Sequence, residues 1–130
     1  MPDNVISRPG LPPEIIIERI KKALEIDGTH SWDDLKEMLI DGRCQIFWSE
    51  HGAWITEILV SPRKRLLNVW IVAGELPEVM ELQQKADDFA RTMTCSEMIV
   101  RGARFGWKDI AKEYGWEETA MVLRRPVTGV

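Results

Sequence analysis

Apolar residues recur at helical spacing twice near the start of the chain. From Pro13 to Ile26, Ile16, Ile20, Ala23 and Leu24 fall on one face with Ile17 beside them, and Glu18, Arg19, Lys21, Lys22 and Glu25 fall elsewhere. Pro13 is placed at the helix start, where a missing N–H costs nothing, and Asp27-Gly28 ends the segment. A second helix begins at Ser31, with Asp34 completing a capping-box pattern and Trp32, Leu35, Met38 and Leu39 as its stripe. Its end is Asp41-Gly42.

The period then changes. Cys44–Ser49 and Ala53–Val60 read as strands joined through Glu50-His51-Gly52, and Ser61-Pro62-Arg63-Lys64 is a second turn. Leu66–Ala73 is apolar at nearly every position except Asn68, the pattern of a strand covered on both faces. Together these predict an antiparallel three-strand meander. Pro77–Met93 is the strongest helical pattern, with Val79, Leu82, Ala86, Phe89, Ala90 and Met93 at spacings of three and four. Glu97–Val100 reads as a short strand that runs parallel to its predecessor if the helix crosses over between them. Phe105–Tyr114 reads as a short helix ended by Gly115, and Glu117–Arg124 as a last strand. The predicted order is ααβββαβαβ, an α/β (α+β) domain over residues 13–126. A proline-rich extended arm (residues 1–12) precedes it and a short tail (residues 127–130) follows.

Composition narrows the function classes. The net charge of -4 gives no global case for nucleic acid or an anionic membrane, and the basic turns Arg63-Lys64-Arg65 and Arg124-Arg125 are short. Cys44 and Cys95 lack CxxC spacing or a His cluster and read as buried free thiols in a reducing compartment, with no metal site. No signal peptide is visible, and no apolar run is long enough to span a bilayer. A Ser/His/Asp motif and a Walker-type loop are also missing.

Two helices, a meander, a long helix, a strand, a short helix and a closing strand form an order that resembles the GCN5-related N-acetyltransferase (GNAT) fold. That fold is a mixed, mostly antiparallel sheet flanked by helices on both faces. The tail Arg101-Gly-Ala-Arg-Phe-Gly-Trp107, followed by Lys112-Glu-Tyr-Gly-Trp116, is similar to the closing segment of the family. It is closer still to that of small bacteriophage-encoded members. The family's first strand is absent or lies in the arm, and its last strand is absent.

The resemblance implies a cofactor site where the third strand meets the long helix. There an Arg/Gln-x-x-Gly-x-Gly/Ala pattern lets backbone N–H groups reach the pyrophosphate of acetyl-CoA, helped by the helix dipole. This chain has Ala73-Gly-Glu-Leu-Pro-Glu78. Pro77 lacks a donor, and Glu75 and Glu78 compete for the remaining ones. The family's acid, a tyrosine before Gly-aromatic, falls on Ala111, with Tyr114 beside the glycine instead. The base candidates are Glu57 and His51.

The expectation from the sequence is therefore a non-catalytic GNAT-like domain without cofactor. It would act through a protein partner or a second copy of itself, in the host bacterium's cytoplasm or within a virion. Arg101, Arg104, Trp107 and Trp116 are its interaction residues, since arginines and aromatics concentrate at interface cores. The alternative is an acetyl-CoA-dependent N-acetyltransferase with a divergent loop. In that case Glu57 and Tyr114 are the catalytic candidates, and Val72, Gly74 and Glu75 contact the cofactor.

Overall fold

Helix α1 (Glu14–Asp27) starts one residue later than expected, with Pro13 as its N-cap; the Pro13 carbonyl accepts from the N–H groups of Ile16 and Ile17. The computed structural model describes residues 12–74, 76–100, 111–119, 125–127 and 129. Helix α2 (Trp32–Ile40) carries the full capping box. The Asp34 N–H donates to Ser31 Oγ at 3.1 Å, and the Ser31 N–H donates to Asp34 Oδ2 at 2.9 Å. Such a cap satisfies two helix-end donors at once.

Strands β1 (Gln45–Trp48), β2 (Gly52–Val60) and β3 (Arg65–Gly74) form the antiparallel meander, and β4 (Glu97–Val100) adds beside β3 in the order β1-β2-β3-β4. The Ser96 N–H donates to the Arg65 carbonyl at 2.8 Å, and Lys64 Nζ meets Glu97 Oε1 at 2.6 Å. β4 thus starts where β3 starts, as a parallel crossover requires.

The register assigns the faces. Trp48 lies opposite Ala53, which lies opposite Ala73, and Ile46 lies opposite Ile55, which lies opposite Ile71. These residues pack with Ile16, Ile20, Leu24 and Leu35 into one core cluster under α1 and α2. The alternate residues face the other helices. Phe47 packs on Phe89 with ring centroids 5.6 Å apart, and the Trp54 indole donates to the Val79 carbonyl at 2.7 Å. Both faces of the sheet are therefore covered, as the unbroken apolar run of β3 demanded.

The register slips once. Ile55 pairs with Ile71 but Thr56 pairs with Val69, so Trp70 is an extra residue, a β-bulge in β3.

The predicted single helix over Pro77–Met93 is two segments, α3 (Leu76–Glu81) and α4 (Gln83–Thr92), meeting at Leu82. The Val79 carbonyl, which a continuous helix offers to residue 83, also receives the Trp54 indole N–H. Insertion of a side chain into the helical ladder is a recognised cause of such a break.

Of the thiols, Cys44 is buried but Cys95 is only half-buried, because it lies in the turn after α4. Residues 1–99 and 100–130 form two compact units. In the second, residues 111–113 are helical and Tyr114-Gly115 turns out of them, as expected, while 117–119 are not in a strand. The rest of the predicted short helix and last strand, and all of the arm except Pro12, lie outside the described residues.

Candidate functional site

β3 has ten residues and β4 has four. A strand advances about 3.3 Å per residue, so a partner starting beside Arg65 accompanies only the first part of β3. Among the described residues no strand pairs with the outer edge of β3 from the Trp70 bulge to Gly74. The end of that edge is also the start of α3.

Gly74 has φ +120, and a Cβ there would lie 2.5 Å from Gly52 Cα and closer still to the His51 carbonyl oxygen. The glycine is thus demanded by the β1–β2 hairpin. Gly52 in turn faces Val79, whose Cγ1 would be 3.0 Å from an added Cβ. Glu78, in the first turn of α3, accepts a hydrogen bond from Ser49 Oγ at 3.1 Å. Strand end, hairpin and helix start are locked together. Val72 is half-buried and lies opposite Trp54. Glu75 lies outside the described residues.

On the α1/α2 face, Glu57 pairs across the strands with Asn68, whose Nδ2 donates to Glu57 Oε1 at 3.0 Å. Glu57 is half-buried, and Asn68 is only 6% exposed, with its Oδ1 buried and lacking a hydrogen-bond partner. Cys44 precedes Gln45, the partner of Thr56, and so extends this row onto β1. Burial, and secondarily the Glu57 charge, push its thiol up to about 11, and Arg43 opposes this. Two acceptors and a protonated thiol therefore line one row at the margin of the apolar core.

Two residues further along β3, Trp70 meets His30 from the α1–α2 turn, edge to face, with ring centroids 4.8 Å apart. His30 Nδ1 lies 2.8 Å from Thr29 Oγ1, and the Thr29 hydroxyl donates to Asp27 Oδ2. Asp34, at the start of α2, feels the same ring. Its carboxyl is held below the ordinary value, chiefly by the Ser31 backbone N–H and Ser31 hydroxyl, with a smaller contribution from His30.

The structure brings Gly74 and Val72 onto one strand end, and Glu57 onto the sheet face. His51 is exposed at the hairpin tip, its N–H 3.4 Å from Ser49 Oγ. Tyr114 is exposed in the second unit and Trp116 is half-buried there. Arg101, Arg104 and Trp107 lie outside the described residues. The sequence reading missed Asn68 as the partner of Glu57, Ser49 as the partner of Glu78, and His30 with Trp70. A local signal existed for His30, since Asp27, Thr29 and His30 share one helix–helix turn. Among the described residues no group of three His, Cys, Asp or Glu could hold a metal ion, and no helix is long and apolar enough to cross a membrane.

No protein-family model matches the chain, and no curated protein does. Solved structures do. An aminoglycoside acetyltransferase from an uncultured soil metagenomic sample, solved in complex with sisomicin, superposes with TM-score 0.65 at 13% identity, over 87% of this chain and 86% of its own. An acetyltransferase of Trypanosoma brucei gives 0.58 at 12% identity, over 85% and 94%. The aminoglycoside 6'-N-acetyltransferase AAC(6')-IG of Acinetobacter haemolyticus gives 0.58 at 14%, over 85% and 93%. At such identities the likeness is one of fold: the chain has a GNAT-like fold, a mostly antiparallel four-stranded sheet with helices on both faces.

Proposed function

We propose that the protein is an N-acetyltransferase that takes its acyl group from acetyl-CoA, the alternative left open by the sequence. The observation that carries this is the edge of β3 after the bulge, unpaired among the described residues, in a fold several of whose solved neighbours are named acetyltransferases. An extended, amide-bearing arm such as that of acetyl-CoA can add to a free strand edge through main-chain hydrogen bonds. Here the backbone at Val72 and Gly74 would receive it.

The start of α3 suits the pyrophosphate less well. Pro77 has no N–H, and Glu78 occupies the first turn. The strand edge therefore supplies most of the affinity. Glu57 and the unpartnered Oδ1 of Asn68 are two acceptors on one face, suited to receiving the ammonium group of an acceptor substrate.

The start of α3 also favours a second reading, a non-catalytic phage-encoded domain of this fold that works through protein contacts in an assembly. Isothermal titration with acetyl-CoA and with free CoA separates the two. Binding at micromolar concentration supports the transferase. No binding at millimolar concentration refutes it and leaves the scaffold.

A further inference from the structure

His30 is not among the residues that the reading above uses. It sits in the turn between α1 and α2, half-buried, with its ring against Trp70. Trp70 is the extra residue of the β3 bulge. Bulges occur beside active sites, where they re-aim a side chain. This one turns an indole toward the helix–helix turn, where the part of the β3 edge that is unpaired among the described residues begins. On the same face, Asn68 and Glu57 lie one strand repeat away.

The hydrogen bonds around the ring fix its chemistry. A hydroxyl has a single proton to give. Thr29 gives its proton to Asp27, so at His30 Nδ1 the Thr29 oxygen can only accept. Nδ1 must therefore carry the ring's proton. In the neutral ring, Nε2 then holds the basic lone pair, and among the described residues no protein group takes it. A carboxylate, a hydroxyl and an imidazole in series hold the tautomer and orientation that a general base needs. Trp70 fixes the ring from the side.

We propose that His30 is the general base of the acyl transfer, with Thr29 and Asp27 as its positioning residues. This rests on the acetyltransferase reading. Nε2 takes one proton from the acceptor's ammonium group. The freed nitrogen lone pair attacks the thioester carbonyl carbon, the C–N bond forms and the C–S bond breaks. The sulfur leaves as thiolate, and the second proton on nitrogen neutralises it. The proton on His30 then passes to water. Glu57 and Asn68 hold the ammonium group and do not take its proton. An imidazole that already holds both protons cannot act as a base, so a base of this kind gives the rate a fall on the acid side. The charged groups beside the ring are Asp27 on α1 and Asp34 on α2; β3 contributes the uncharged Trp70.

Two measurements test this. The chain has two histidines, His30 and His51, so nitrogen-15 spectra of the imidazoles are simple, and a His51→Gln variant assigns them. The expected result is a proton on Nδ1 of neutral His30, reverting to Nε2 in Thr29→Val. A proton on Nε2 in the unaltered protein overturns the proposal whether or not the protein turns over. The second measurement is thiol release from acetyl-CoA with n-propylamine, spermidine and a lysine-containing peptide as acceptors. His30→Gln is expected to lower kcat/KM about 10²-fold and to abolish the acid limb of the pH profile. Thr29→Val is expected to lower kcat with KM unchanged. An unchanged acid limb in a folded His30→Gln protein refutes the base while leaving the transferase reading intact. No thiol release with any acceptor refutes the transferase reading, and the catalytic role with it.

Discussion

Replacing Gly74 with alanine separates two explanations for a glycine at the strand–helix junction. One is that a phosphate must approach the backbone. The other is that the hairpin leaves no room. The backbone there has φ +120, and a new Cβ would lie 2.5 Å from Gly52 Cα and still nearer the His51 carbonyl, both of them backbone atoms that cannot swing aside. Holding a non-glycine residue in that region costs about 1–3 kcal/mol. Forcing the hairpin away adds about 1–3 kcal/mol of overpacking. Together these give about 2–6 kcal/mol, a large part of the roughly 5–15 kcal/mol a domain has to lose. Gly28 is the control, since it has φ +75 but nothing within 4 Å of an added Cβ. Gly28→Ala should cost only the left-handed conformation, about 1–2 kcal/mol. With an m-value of about 2 kcal/mol per molar in urea, the midpoint should fall by about 2 M for Gly74→Ala and by under about 1 M for Gly28→Ala. A shift in Gly74→Ala no larger than that of the control would refute the steric argument. If acetyl-CoA binding were lost at the same time, the glycine would serve the phosphate.

Two further outcomes are expected. Trp54→Phe removes the buried N–H that the Val79 carbonyl accepts at 2.7 Å and shrinks a well-packed ring, so it should cost about 2–4 kcal/mol in urea unfolding; a loss below about 0.5 kcal/mol would remove that bond as the cause of the α3–α4 break. Cys44 has its thiol raised from 9.0 to about 11, so the folded chain holds this proton more tightly than the unfolded one. Its contribution to stability is full below pH 9 and is lost as the pH rises from 9 to 11. Thermal melts across that window should decline less in Cys44→Ala, and parallel curves for the two proteins would contradict the assignment.

Elements set by neighbouring residues were legible in the sequence. Ser31 and Asp34 announce the start of α2 because both bonds of the cap are made within one turn. The β1–β2 hairpin and the covered faces of β3 follow from turn residues and from an apolar run. What failed to show depends on distant partners. The joint at Leu82 coincides with a hydrogen bond from Trp54, 25 residues before its acceptor, Val79. Asn68 read as the polar exception in a greasy strand and became meaningful only opposite Glu57. Gly74 matched a cofactor pattern in part, and its steric reason lies in the hairpin. His30 needed Trp70, and Trp70 needed the bulge, which no alternation pattern marks when a strand is apolar throughout.

The bulge also makes β3 a strand with two counting frames. Before it, the even-numbered Asn68 shares a face with the helices α1 and α2; after it, the odd-numbered Ile71 and Ala73 do. Loss of a residue away from the bulge would turn the stretch between the cut and the bulge inside out. Loss of Trp70 alone would merge the frames, since Val69 and Ile71 already face Thr56 and Ile55, which are adjacent in β2. The strand thus has one position where a deletion spares the sheet and removes only the indole that steadies His30. A lineage could shed the chemistry there in a single step and keep the scaffold.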